Sequence, residues 1–72
     1  MGLAVKPKEM VKFLEDNGFY FINQKGSHAK YTDGVSVTIV PMNNKEIRTG
    51  TLMAILNESG LYKQQLEKWL GR

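Results

Sequence analysis

Residues 18–41 read GFYFINQKGSHAKYTDGVSVTIVP, and the fold turns on how this stretch is parsed. Residues 19–24 are aromatic and β-branched, too short for an independent helix and bounded by Gly18 and Gly26, so they read as a strand. A second strand runs from His28 to about Tyr31. After Asp33-Gly34, residues 35–40 alternate apolar and hydroxyl side chains, and Pro41 ends the run because proline has no N–H to give a ladder. The spacing predicts a three-stranded meander with turns at Gly26-Ser27 and around Gly34.

Helices flank this block. Pro7 suits a first helical turn, where its missing N–H would be unpaired anyway, and Met10, Val11, Phe13 and Leu14 recur at helical spacing until Asn17-Gly18. Downstream, Thr49 is placed to cap a helix with its hydroxyl. Leu52, Met53, Ile55 and Leu56 form the expected buried stripe, and Ser59-Gly60 is the stop. Residues 63–70 carry Leu66, Trp69 and Leu70 at the same spacing. The predicted order is α-β-β-β-α-α: an α+β fold, one domain over residues 1–72, with the helices on one face of an antiparallel sheet and the other face open.

Register decides which face His28 joins. A two-residue loop, Asp33-Gly34, would put His28 and Lys30 on the face of Val37 and Ile39, which is unfavourable for a lysine if those apolar residues line the core. A three-residue loop, Thr32-Asp33-Gly34 with Gly34 in the left-handed conformation, sets Tyr31 against Val35 and Ala29 against Val37. His28, Lys30, Ser36 and Thr38 then share the outer face. This second register is the expectation.

Composition removes most other chemistry. With no cysteine and one histidine among 72 residues, neither a disulfide nor a Cys/His zinc site is possible. A chain of this length buries only about 60% of its unfolded surface, so stability is expected to be modest. No apolar run approaches a membrane span, and the start Met-Gly-Leu-Ala-Val-Lys lacks the apolar core of a signal peptide, so a cytoplasmic protein is expected. The net charge of +3 is biased toward residues 23–50, where Lys25, Lys30, Lys45 and Arg48 outnumber Asp33 and Glu46. That bias is compatible with a nucleic-acid partner without identifying one.

Lys25-Gly26-Ser27-His28 is the motif with the most chemistry in it. It reads in two ways: as a tight turn followed by an ordinary half-exposed histidine, or as a general acid or base flanked by lysines that hold a phosphate. Histidine suits proton transfer because its ordinary pKa of about 6.5 keeps both forms populated near neutrality. RNA brings its own nucleophile, the 2′-hydroxyl, so cleavage needs neither a protein nucleophile nor a metal. The only aspartates, Asp16 and Asp33, fall at a helix end and in a turn, and no carboxylate cluster, P-loop or dinucleotide fingerprint is present, so no metal or cofactor is expected. Phe19 and Phe21 are assigned to the core, Tyr20 to either core or base stacking, and Trp69 to packing or partner contacts. Residues 41–45 read as a loop whose Lys45 is solvated.

Taken together, Lys25-Gly26-Ser27-His28, Tyr31, Val37-Thr38-Ile39-Val40-Pro41, Lys45-Glu46-Ile47 and Gly50-Thr51-Leu52-Met53-Ala54-Ile55-Leu56 resemble the HicA (YcfA-like) toxin family over roughly residues 6–70. The resemblance implies a fold similar to the double-stranded-RNA-binding domain, ribosome-independent mRNA cleavage, and neutralisation by a HicB-type antitoxin that covers the active site. It places the catalytic histidine at His28; around it, RNA contacts are expected from Lys25, Gly26, Ser27, Lys30, Asn43 and Lys45. Many members carry a second histidine shortly after the proline, where this chain has Asn43. The rival expectation is a non-catalytic RNA-binding module, or a degenerate toxin that only pairs with its antitoxin.

Overall fold

A computed structural model describes residues 3–71, so the ends of the expected 1–72 domain lie outside the described residues. The elements follow the expected order: α1 Pro7–Asp16, β1 Tyr20–Lys25, β2 His28–Thr32, β3 Val37–Pro41, α2 Thr49–Ser59 and α3 Lys63–Leu70. The strands form one antiparallel sheet ordered β1-β2-β3, as a meander requires. Among the described residues no helix is long and apolar enough to cross a membrane. The fold is α+β, consistent with the architecture of the double-stranded-RNA-binding domain.

The core lies between the helices and the sheet, built from Met10, Phe13 and Leu14 of α1, Ala29, Tyr31 and Val40 of the sheet, Leu52, Ile55 and Leu56 of α2, and Leu66 of α3. Two helix starts share one device. The Lys6 backbone N–H donates to Glu9 Oε1 at 2.9 Å, and that of Tyr62 donates to Gln65 Oε1 at 2.7 Å, so a side chain three residues on satisfies each cap amide. Helix α3 is pinned to α1 by Trp69, whose ring meets Phe13 edge-on at 5.6 Å and whose Nε1–H donates to Asp16 Oδ2 at 2.8 Å.

The β2–β3 register differs from the expected one. Thr32 pairs with Val37, Tyr31 with Thr38, Lys30 with Ile39, Ala29 with Val40 and His28 with Pro41, so four residues, 33–36, make the turn. Side chains build it: Asp33 Oδ1 accepts the amides of Val35 at 2.9 Å and Ser36 at 2.7 Å. Thr32 Oγ1 donates to the Ser36 carbonyl at 2.6 Å and accepts from the Gly34 amide at 3.0 Å. Gly34 takes a positive φ of 97°, as anticipated, but within a longer loop. His28 and Lys30 do face outward, yet their neighbours there are Val37 and Ile39, while Thr38 is only 1% exposed beneath the helices. The expectation that Ser36 and Thr38 share the outer face is therefore corrected: Ser36 belongs to the turn and Thr38 points inward. Burying Thr38 is tolerable because its hydroxyl donates to Glu58 Oε1 of α2 at 2.8 Å, leaving no unmade bond.

Three further corrections concern packing. Phe21, assigned to the core, is 52% exposed; it lies beside Tyr31 at 5.8 Å on the helix side of the sheet, but α1 and α2 pack chiefly on β3 and leave the β1 edge uncovered. A bulge between Phe21 and Asn23 breaks the β1 alternation, so Ile22 is exposed as well. Met53 is 47% exposed because the stripe that faces the core is Leu52, Ile55, Leu56 and Ser59, with Ser59 donating its hydroxyl to the Leu56 carbonyl at 3.1 Å. Thr49 does not cap α2. The helix begins at Thr49 and the extended Arg48 occupies the cap position, with no side-chain cap bond.

Two measurements check this architecture. Leu66 is fully buried, so Leu66→Ala should cost about 2–5 kcal/mol in urea unfolding, a large share of what a small domain has; a loss below about 1 kcal/mol would mean α3 is not part of the cooperative core. The amides of Ser36 and then Val35 hold the Asp33 carboxyl below its ordinary range. Because the folded pKa is depressed, the turn's contribution is complete above the ordinary aspartate value of about 3.9 and is lost as pH falls through the lower folded value. Carboxyl NMR titration should place Asp33 below that ordinary value, and a midpoint at or above it contradicts the turn.

Candidate nucleic-acid interface

His28 opens β2 directly after a two-residue turn. Lys25 pairs with His28 across it, and Gly26 supplies the positive φ of 57° at the first central position, the residue a type II′ hairpin turn calls for. Gln24 Nε2 braces the turn from below by donating to the Gly26 carbonyl at 2.9 Å. On the far side of the sheet, the Met42 amide donates to the Ser27 carbonyl at 2.6 Å, which ties the segment after Pro41 to the residue before the histidine. Residues 15 positions apart in sequence thus meet at one end of the sheet.

The result is an exposed imidazole between two shallow depressions. One, of about 470 Å³, is lined by Asn23, Lys25, His28, Lys30 and Ile39. The other, of about 410 Å³, is lined by Ser27, His28, Ile39 and Pro41 from the sheet side and by Asn43, Asn44, Arg48 and Thr51 from the loop and the start of α2. His28 and Ile39 line both, so the depressions adjoin at the histidine. Their lining holds three permanent cations, three carboxamides and two hydroxyls, and no carboxylate. A surface of this kind attracts anions, and its donors match phosphate oxygens.

Of the residues singled out from sequence, Lys25, Ser27, His28, Lys30 and Asn43 come together here. Gly26 shapes the turn without lining either depression, and Lys45 is exposed outside both. Sequence reasoning missed Asn23, Ile39, Asn44, Arg48 and Thr51. The basic bias of residues 23–50 was the one available signal for Arg48, whereas Ile39 was hidden by the assumption that the apolar half of β3 faces inward. Among the described residues no group of three or more His, Asp or Glu could hold a metal ion. Lys30 is half-buried and pairs with Ile39 across the sheet.

Residues 7–61 match the HicA toxin of bacterial toxin-antitoxin systems. No curated protein matches the chain.

The turn that sets the histidine is open to a direct test. A Cβ on Gly26 would meet no atom within 4 Å, so the only penalty of Gly26→Ala is the left-handed backbone, about 1–2 kcal/mol. Urea unfolding should read that loss, and a stability equal to wild type would contradict the turn geometry.

Proposed function

The chain belongs to the HicA toxin family and is thus the toxin of a toxin–antitoxin pair, and we propose that it acts as a metal-independent endoribonuclease that cleaves mRNA through His28. The observation that supports this reading is the placement of the chain's one histidine between two depressions whose charged side chains are all cationic. A phosphodiester laid across His28 meets donors on either side. Its own 2′-hydroxyl is the nucleophile, so the protein has only to move a proton and hold the phosphate.

In the reaction the 2′-oxygen loses its proton and attacks the adjacent phosphorus. The bond from phosphorus to the 5′-oxygen breaks, and the 5′-oxygen leaves as a hydroxyl. The products are a 2′,3′-cyclic phosphate and a 5′-hydroxyl end. His28 serves either as the base that takes the 2′ proton or as the acid that protonates the 5′-oxygen, with a lysine or water carrying the other proton, because Asn43 hydrogen-bonds but does not titrate. Lys25, Lys30 and the Gly26-Ser27 backbone offset the charge that builds on the phosphate. A HicB-type antitoxin lying on the outer sheet face would cover both depressions, which accounts for neutralisation without any change in the toxin's fold.

Purified protein freed of antitoxin should cleave mRNA in EDTA and leave cyclic-phosphate ends. His28→Ala, at an exposed position, should fold normally, still bind RNA and lose about 10²–10⁴-fold in rate. Scission that survives the substitution or vanishes with the chelator contradicts the mechanism. RNA binding by the wild type with no scission would instead support the non-catalytic module.

A further inference from the structure

We propose that Arg48 is an RNA-binding residue of this site, holding a backbone phosphate on the α2 side of His28 while Lys25 and Lys30 hold one on the β1 side. The inference rests on the RNA-cleavage reading above and adds the path of the strand. Both depressions include His28 and Ile39, so a backbone passing over the histidine extends from the β1 side into the hollow formed by Asn43, Asn44, Arg48 and Thr51. Arg48 is the only permanent cation in that second hollow.

Its position is held from below. The Ile47 amide donates to the Val5 carbonyl at 2.8 Å, both side chains are buried, and the Arg48 carbonyl accepts from the Leu52 amide at 2.8 Å in the first turn of α2. The backbone on either side of Arg48 is therefore fixed while its guanidinium is exposed. Arg48 also borders a hollow lined by Glu46, but among the described residues no ion pair or side-chain hydrogen bond engages its guanidinium. A planar fork of donors that is unengaged within the protein and always charged suits a phosphate. Thr51, half-buried in the same hollow, adds a hydroxyl beside it.

The test is single-stranded RNA binding in the His28→Ala background, where no cleavage intervenes, measured across a salt series. Each phosphate contact on a single strand contributes about 0.7 to the slope of log K against log salt. Arg48→Gln should weaken binding about tenfold at low salt and reduce that slope by about 0.7, and Arg48→Lys should restore the slope. Lys63→Gln, on the exposed start of α3 and outside both hollows, should leave it unchanged. In the cleaving protein, Arg48→Gln should raise KM with kcat nearly constant. An unaltered slope for Arg48→Gln, an equal drop for Lys63→Gln, or a fall in kcat at constant KM overturns the assignment. Cleavage that survives His28→Ala would sink the catalytic reading; the same salt series run with 2′-O-methyl RNA, which has no free 2′-hydroxyl to attack the phosphorus, still reads the Arg48 contact, so the two failures are distinguishable.

Discussion

The turn at residues 33–36 holds β2 and β3 in one register, and that register carries the site. Strand side chains alternate with a period of two, so one residue of slip would send Ala29 and Tyr31 outward and His28 and Lys30 under the helices. The Asp33 carboxylate prevents this by accepting two amides at once, while the Thr32 hydroxyl bridges the same loop. With the strands so aligned, His28 comes opposite Pro41, and the ladder runs one step further, the Met42 amide donating to the Ser27 carbonyl. A local arrangement at one end of the hairpin thus positions His28, the proposed proton carrier, at the other.

Helices and sheet divide the work. Two helices grip β3, and α3 closes the core through Leu66 and the Trp69 bond to Asp16. The outer face of the sheet carries no helix, and the β1 edge extends past the cover, with Tyr20, Phe21 and Ile22 all exposed. In so small a domain the area left open is a real loss of apolar burial, at roughly 25 cal/mol per Å². It also leaves His28, which no pocket encloses, open to the long, flexible RNA proposed as substrate.

Much of this was readable from residue types alone. The helices and strands announce themselves through Pro7, the glycines and apolar spacing, and the scarcity of histidine points to His28 before any geometry is known. The outward placement of His28 and Lys30 came out right by way of a register that was wrong. The alternation Val-Ser-Val-Thr-Ile-Val suggests an apolar inner face, yet Thr38 is the inward residue, and the Glu58 carboxylate that satisfies it lies 20 positions away. Local pattern has no means of finding that partner. The same limit hid Arg48, Thr51 and Asn44, which lie where the β2–β3 ladder runs on to Met42 and Ser27 and the following segment is tied to Val5 through Ile47.

Cleavage as proposed requires RNA to cross the outer sheet face at His28, and amide shift mapping tests that placement most directly. Titrating labelled protein with an RNA carrying a 2′-deoxy substitution at the cleaved linkage, which removes the nucleophile, should perturb Lys25, Ser27, His28, Lys30, Asn43, Arg48 and Thr51. Perturbation confined to α1 and α3, with those amides unmoved, would contradict it.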